Sequence, residues 1–369
     1  MTSSTPHSGP GGPRALDRMP FFDNAKFLLI ALVALGHTWE ALIPPHGAPV
    51  LRAVHNVLYG FHMPAFILLC GYFSRSFTGR PDQIRRLLSG VLVPYLIFET
   101  IYSFLYHWLR GTDLAITPTS PTYLCWFLIA LFVWRLTTPI WKAVRYPLPI
   151  AIVVSLVAGT TPISGDLALA RVLMFLPWFV LGLQLRPEHF ARLRTRTARL
   201  LAVPVFVGVF ALAYWLFPYL NDDWLSSAAD NTALHVSPGQ DLLTRMALFA
   251  VSALLVASFF ALVPGRRMWL TGLGAVTLYP YLLHGIVLRV SEHYGAFRGV
   301  RQAGLPGVLV LSAIVVGVVV LLSTPPVRAV LRPLVEPRFP KWLVPRAEAV
   351  PAPATVPTAA AEREKTLAR

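Results

Sequence analysis

Residues 22–43 read FDNAKFLLIALVALGHTWEALI, and how this stretch is taken decides the fold. It reads as a membrane-spanning helix with a charged entrance at Asp23 and Lys26. His37 follows eleven residues beyond the lysine. At about 1.5 Å of rise per residue the two lie roughly 16 Å apart along the axis. The lysine then sits near one membrane face and the histidine at or past the middle of the hydrocarbon. An ionisable group at that depth is expensive to keep, so it usually serves a function.

The rest of the chain supports the membrane reading. Of 369 residues, 55% are hydrophobic and 13% charged, with a mean hydropathy of +0.60. Soluble domains carry about 25% charged residues. Apolar runs recur down the whole length, which leaves no separate soluble domain. Cys70 and Cys125 both sit inside apolar runs and predict neither a disulfide framework nor a metal site. A net charge of +15 raises nucleic acid as a partner. The basic residues, however, form short clusters between apolar spans, the pattern that encodes orientation in a membrane. No nucleic-acid partner is expected; membrane lipids are.

Roughly ten spans of 15–25 residues are predicted. They are Asn24–Ile43, Leu51–Phe73, Ile84–Trp108, Tyr123–Ile140, Pro147–Gly159, Leu167–Leu185, Ala198–Phe217, Leu242–Val263, Ala275–Val290 and Pro306–Ser323. The basic clusters follow every second span: Arg75 to Arg86, Lys142 and Arg145, Arg186 to Arg199, Arg266 and Arg267, Arg328 to Lys341. With Arg14 and Arg18 they all fall on one side if the N-terminus is cytoplasmic. Arg289, Arg298 and Arg301 are the exceptions. The expected fold is an all-α polytopic membrane protein of about ten transmembrane helices with both termini cytoplasmic. Residues 1–19 read as a disordered cytoplasmic leader, not a signal peptide. Residues 20–325 form the membrane domain and 326–345 a cytoplasmic basic segment. Residues 346–369, rich in Ala and Pro, form a disordered tail.

With the directions fixed, His37, His62, Glu99 and His284 fall within about two helical turns of one depth, on four different spans. Each has a packing reading as a group hydrogen-bonded to a neighbouring helix. Four at one depth favour a shared site, which the sequence cannot test by azimuth. An imidazole titrates near neutral pH and accepts a proton from a hydroxyl. Glu99 either orients such a ring or hydrogen-bonds a substrate. At the cytoplasmic side, Arg75, Arg80, Arg85 and Arg86 serve topology and lipid phosphates in the plain reading. In the functional reading Arg75, Arg85 and Arg86 bind the phosphates of a donor such as coenzyme A, since guanidinium groups grip phosphate bidentately. The chain has no Walker-type loop, no zinc spacing and no GxSxG elbow.

Several stretches together carry a resemblance. DNAKFLLIALVALGH, FHMPAFILLCGYFSR, RRLLSGVLVPYLIF, WFLIALF, FLPWFVLGLQL and LGAVTLYPYLLHG resemble, in the same order, the membrane acyltransferase-3 family. They look most like its fucose 4-O-acetylase branch. The resemblance covers roughly residues 20 to 325. It implies an acyl-CoA-dependent O-acyltransferase of the plasma (inner) membrane that modifies a hydroxyl of a carbohydrate or small molecule. The acyl group, usually acetyl, would come from cytoplasmic acetyl-CoA as co-substrate, with no permanently bound cofactor. The acceptor would be met at the outer side.

The family's pairing of a basic residue, ten residues and an essential histidine matches Lys26 and His37, with Lys in place of the usual Arg. Asp23 and Lys26 fit an Asp-x-x-Lys version of it. The family's Arg-x-x-Arg is degenerate here, Arg86 being followed by Ser89. The expectation is that His37 acts as general base, with His62, His284 or a tyrosine stabilising the oxyanion; an acyl-histidine intermediate is the variant route. Asp23, Lys26, Arg75, Arg85 and Arg86 form the donor end. The outer loop Pro218–Gln240, with Asp222, Asp223 and Trp224, is the expected acceptor contact unless it is merely solvated. The rival readings are a proton-coupled transporter or exporter with midplane histidines, and a scaffold in a polysaccharide-export machine. Transporters usually show internal repeats with matching broken helices, and none is evident.

Overall fold

The computed structural model describes residues 19–44, 47–163, 165–216, 223–227 and 230–337, among which helix is the only regular structure. The tail expected over 346–369 lies outside the described residues. So do all of the leader except Met19, the last part of the basic segment, and Asp222 in the outer loop.

The helices follow the hydrophobic runs, and prolines open most of them. Pro20 and Pro49 occupy the first turns of α1 (Pro20–Leu42) and α2 (Pro49–Ser74), where a missing N–H costs nothing. Helix α3 (Pro81–Leu87) runs through a π turn at Leu88–Leu92 into α4 (Val93–Arg110), which ends on Gly111 at φ 63°. A 3₁₀ turn at Tyr123–Cys125 opens α5 (Trp126–Leu136), followed by α6 (Thr138–Ala143) and α7 (Pro147–Gly159). Then come α8 (Leu169–Met174), α9 (Leu176–Gln184), α10 (Pro187–Leu193), α11 (Arg196–Leu216) and α12 (Asp223–Ser226). The described chain closes with α13 (Pro238–Leu262), α14 (Leu278–His293), α15 (Arg298–Leu322) and α16 (Pro325–Val335).

Six of these elements are long and apolar enough to cross a membrane: α1, α2, the α3–α4 run, α11, α13 and α15. Two bent pairs raise the number to eight if each pair is one span. Asp166–Met174 and Leu176–Gln184 meet at 58°; Trp269–Ala275 and Leu278–His293 meet at 89°. Each of the ten expected segments therefore has a helical counterpart, but two are short. Helix α7 has 13 residues, about 20 Å of helix against about 30 Å of hydrocarbon. Its end is met from the loop before α13, where the Asn231 amide donates to the Gly159 carbonyl at 2.9 Å. The fourth segment breaks at Thr137, so that α5 and α6 replace one continuous span.

Helix α2 lies at the centre. In its most apolar window 72% is buried, against 11% for α11 and α15, whose apolar side chains face outward. It packs on α1, α9, α11 and α13. Its closest neighbour is α9, and glycines make the approach possible. A β-carbon on Gly71 would run into the Phe179 carbonyl, and one on Gly182 into the Leu68 carbonyl. Small residues at such crossings let two backbones touch within a membrane bundle. At the N-terminal end of α1, a cluster of rings closes the bundle. Phe22 packs on Tyr72 at 4.8 Å between centroids and on Phe190 at 5.2 Å, and Phe190 packs on Phe260 at 5.3 Å.

Candidate active site

At the other end of α1 the bundle holds a cavity of about 300 Å³. His37 and Glu40 line it from α1, Tyr59 and His62 from α2, Tyr123 and Trp126 from the start of α5, and Arg171 and Arg289 from α8 and α14. Gly36 makes room for the α2 neighbour: a β-carbon there would lie 3.0 Å from Tyr59 Cε2. The His37 imidazole stacks on His284 at 5.8 Å between centroids and lies 5.3 Å from the Tyr123 ring. Tyr59 bridges to the next histidine, its ring 4.8 Å from that of His62. Of the four expected groups, His37 and His62 line this cavity, and His284 joins them through its stack on His37.

The hydrogen bonds assign nitrogens. A carbonyl only accepts, so the 2.8 Å contacts of His62 Nδ1 with Leu58 O and of His284 Nδ1 with Pro280 O each require a proton on Nδ1. In a neutral ring, Nε2 then carries the lone pair. His37 has a different partner. Its Nδ1 lies 3.4 Å from Glu40 Oε2 and 3.4 Å from the Tyr59 hydroxyl, which itself donates to Glu40 Oε2 at 2.9 Å. One carboxylate thereby orients both ring and phenol, and leaves His37 Nε2 for proton transfer.

Glu99 stands apart from this group. Its carboxylate accepts from the Thr122 amide at 2.8 and 3.0 Å and from the Thr122 hydroxyl at 2.6 Å. It pins the loop that delivers Tyr123, which is held at φ 51°, a conformation sterically costly for any residue but glycine. The Tyr123 hydroxyl is buried and has no hydrogen-bond partner among the described residues. His284 also borders an apolar groove of about 560 Å³ against α15.

The expected donor residues gather only in part. Lys26 pairs with Asp23 at 2.6 Å and lies 5.4 Å from the Phe73 ring centroid. Nearby, Arg75 stacks on Tyr72 at 3.8 Å and donates to the carbonyls of Tyr72 and Leu185 at 2.9 and 2.7 Å. Arg135 donates to Ser74 at 3.1 Å, and Lys142 to the Arg75 carbonyl at 3.0 Å. Arg85 and Arg86 bond within α3, to Pro81 O at 3.2 Å and Asp82 at 2.5 Å. Asn24 fixes the entry of α1. It donates to the carbonyls of Pro264 and Arg266 at 2.8 and 3.0 Å and accepts from Thr271 at 2.6 Å.

Sequence reading missed Glu40, Tyr59, Tyr123 and Arg171. Glu40 carried a usable signal, lying three residues after His37 on the same helical face. Arg289 carried one as an exception to the charge pattern. Tyr59, Tyr123 and Arg171 carried none, because only the packing of other helices turns them inward. Of the outer loop, Asp223 and Trp224 belong to α12, whose next residues Leu225 and Ser226 line the cavity.

Residues 19–324 match the acyltransferase-3 family, described as an acyltransferase domain. No curated protein and no solved structure matches the chain. The match takes in every element that builds the cavity, and the chain belongs to the acyltransferase-3 family as a multi-pass membrane protein.

Proposed function

We propose that the protein is an O-acyltransferase of the plasma membrane. It would move an acyl group, most simply acetyl, from cytoplasmic acyl-CoA to a hydroxyl of a carbohydrate or related acceptor. The observation that carries this reading is the His37–Glu40–Tyr59 cluster at the wall of a cavity, with His62 and His284 beside it.

The chemistry follows from the assigned nitrogens. His37 Nε2 takes the proton of the acceptor hydroxyl as that oxygen bonds to the thioester carbonyl carbon. Glu40 stabilises the imidazolium that forms. The carbonyl oxygen becomes an oxyanion, and the donor assigned to it is the Tyr123 hydroxyl, which is unpartnered among the described residues and belongs to a ring 5.3 Å from that of His37. When the tetrahedral intermediate collapses, the C–S bond breaks and the imidazolium returns its proton to the leaving thiolate. Ester and free coenzyme A result, and His37 ends neutral. Lys26 and Arg75, at the opposite end of α1 and α2, hold donor phosphates in this scheme, and both termini lie in the cytoplasm.

The test is transfer of labelled acetate from acetyl-CoA in proteoliposomes, followed by mass spectrometry of the acceptors. His37→Ala is expected to abolish transfer while insertion and expression persist. Near-normal turnover in that variant would refute the assignment.

A further inference from the structure

Two cations line the same cavity as His37, and neither belongs to the proton-transfer cluster. Arg171 opens α8, and Arg289 lies toward the end of α14. Each guanidinium lies over a ring that also lines the cavity. The Cζ of Arg171 is 5.0 Å from the Trp126 centroid, and that of Arg289 is 4.3 Å from the Tyr123 centroid. Stacking fixes the plane of the fork and leaves its N–H edge to bind a planar or tetrahedral anion.

Much of that edge is unspent. Arg171 donates from Nε to the Ser226 carbonyl at a long 3.4 Å, and no carboxylate pairs with it among the described residues. Arg289 gives one nitrogen to Glu292 at 2.7 Å, yet its Nε is buried without a hydrogen-bond partner among the described residues. The acid that lines the cavity is Glu40, already taken by Tyr59 and His37. Cations held inside a membrane bundle are costly unless they are paired. Here the pairing is incomplete, and both sit where the loop-charge pattern would place few cations.

We infer that the acceptor carries a negative charge close to its reacting hydroxyl, and that Arg171 and Arg289 hold its carboxylate or phosphate in the mouth of the cavity. The substrate class is an anionic carbohydrate, such as a uronic acid or a sugar phosphate. Tyr59, Trp126 and Phe175 supply rings for the sugar face. This inference rests on the acyl-transfer reading of the cavity and deepens it.

The experiment separates the two. Full-length protein in phosphatidylcholine nanodiscs is titrated calorimetrically with matched pairs: glucuronate and its methyl ester, galacturonate and its methyl ester, glucose 1-phosphate and glucose. The anionic member of at least one pair is expected to bind at least about tenfold tighter, the scale of one charge-assisted hydrogen bond. Arg171→Gln and Arg289→Gln should each remove that preference, whereas His37→Ala should keep it. Equal binding within every pair, or a preference that survives in the Arg171→Gln/Arg289→Gln double variant, overturns the inference. Should a glutamine variant fail to fold, the wild-type pairs alone decide, with Arg171→Lys and Arg289→Lys as charge-retaining substitutes. Displacement of the bound anion by added phosphatidylglycerol would assign the arginines to lipid headgroups and overturn it as well. Arginine-dependent binding without acyl transfer to any bound sugar would instead refute the proposed function and leave the anion site standing.

Discussion

His37 and Glu40 share one turn of α1, and at the residue scale their contact separates Glu40 from Glu99, the carboxylate that the sequence singled out. Glu40 contacts His37, the proposed base; Glu99 is spent on Thr122. Substituting each gives different signatures. Glu40→Gln is expected to lower kcat by about 10²-fold, in the range of general-base effects, with KM nearly unchanged. Glu99→Gln should chiefly lower thermal stability, by roughly 1–3 kcal/mol, because the Thr122 donors lose a charged acceptor. Steady-state kinetics beside detergent-resistant melting curves checks both. Equal effects on kcat would remove the distinction. His37 was legible in the sequence because a histidine in hydrocarbon needs a reason. The same argument selected Glu99 and was blind to what satisfies it, since depth along a helix carries no azimuth.

At the scale of elements, the α2–α9 crossing is the tightest constraint. Gly71 and Gly182 place backbone against backbone, so the penalty for a side chain falls on the crossing itself. Gly182→Val is expected to push α9 away, costing about 1–3 kcal/mol as overpacking, while Gly90→Val on the α3–α4 run meets open space. Thermal melting by intrinsic fluorescence distinguishes the two; comparable losses would contradict the crossing. Hydropathy located all these segments, α7 to the residue. It did not show that two of them bend, by 58° and 89°, because a bend at Phe175 or Val276 leaves the apolar count unchanged. Nor did it show that α2, rather than α1, is the central helix. Both are apolar, and only packing ranks them.

The whole molecule has two chemically distinct ends. Lys26, Arg75, Arg135 and Lys142 mark one; the cavity with His37 marks the other. If the first end is cytoplasmic, a reporter fused after Arg369 should fluoresce as a green fluorescent protein and be inactive as a periplasmic alkaline phosphatase. A fusion within the loop between α11 and α13 should behave in the opposite way. The reverse pattern would invert donor and acceptor sides. The expectation that the first end is cytoplasmic rests on the basic clusters that follow alternate spans. The six to eight helices long enough to cross still leave α5 and α7 as shorter apolar helices of the bundle. The acidic loop, expected to contact the acceptor unless merely solvated, contributes α12, whose Leu225 and Ser226 line the cavity.

The rings at the N-terminal end of α1 have a consequence of their own. A membrane energises the cell only while its cross-section resists ions, and a cavity lined by His37, Glu40, Arg171 and Arg289 interrupts the apolar barrier at one end of the bundle. Phe21, Phe22, Tyr72, Phe190 and Phe260, packed edge to face, supply the remaining insulation. An enzyme built this way is also a segment of the membrane's dielectric.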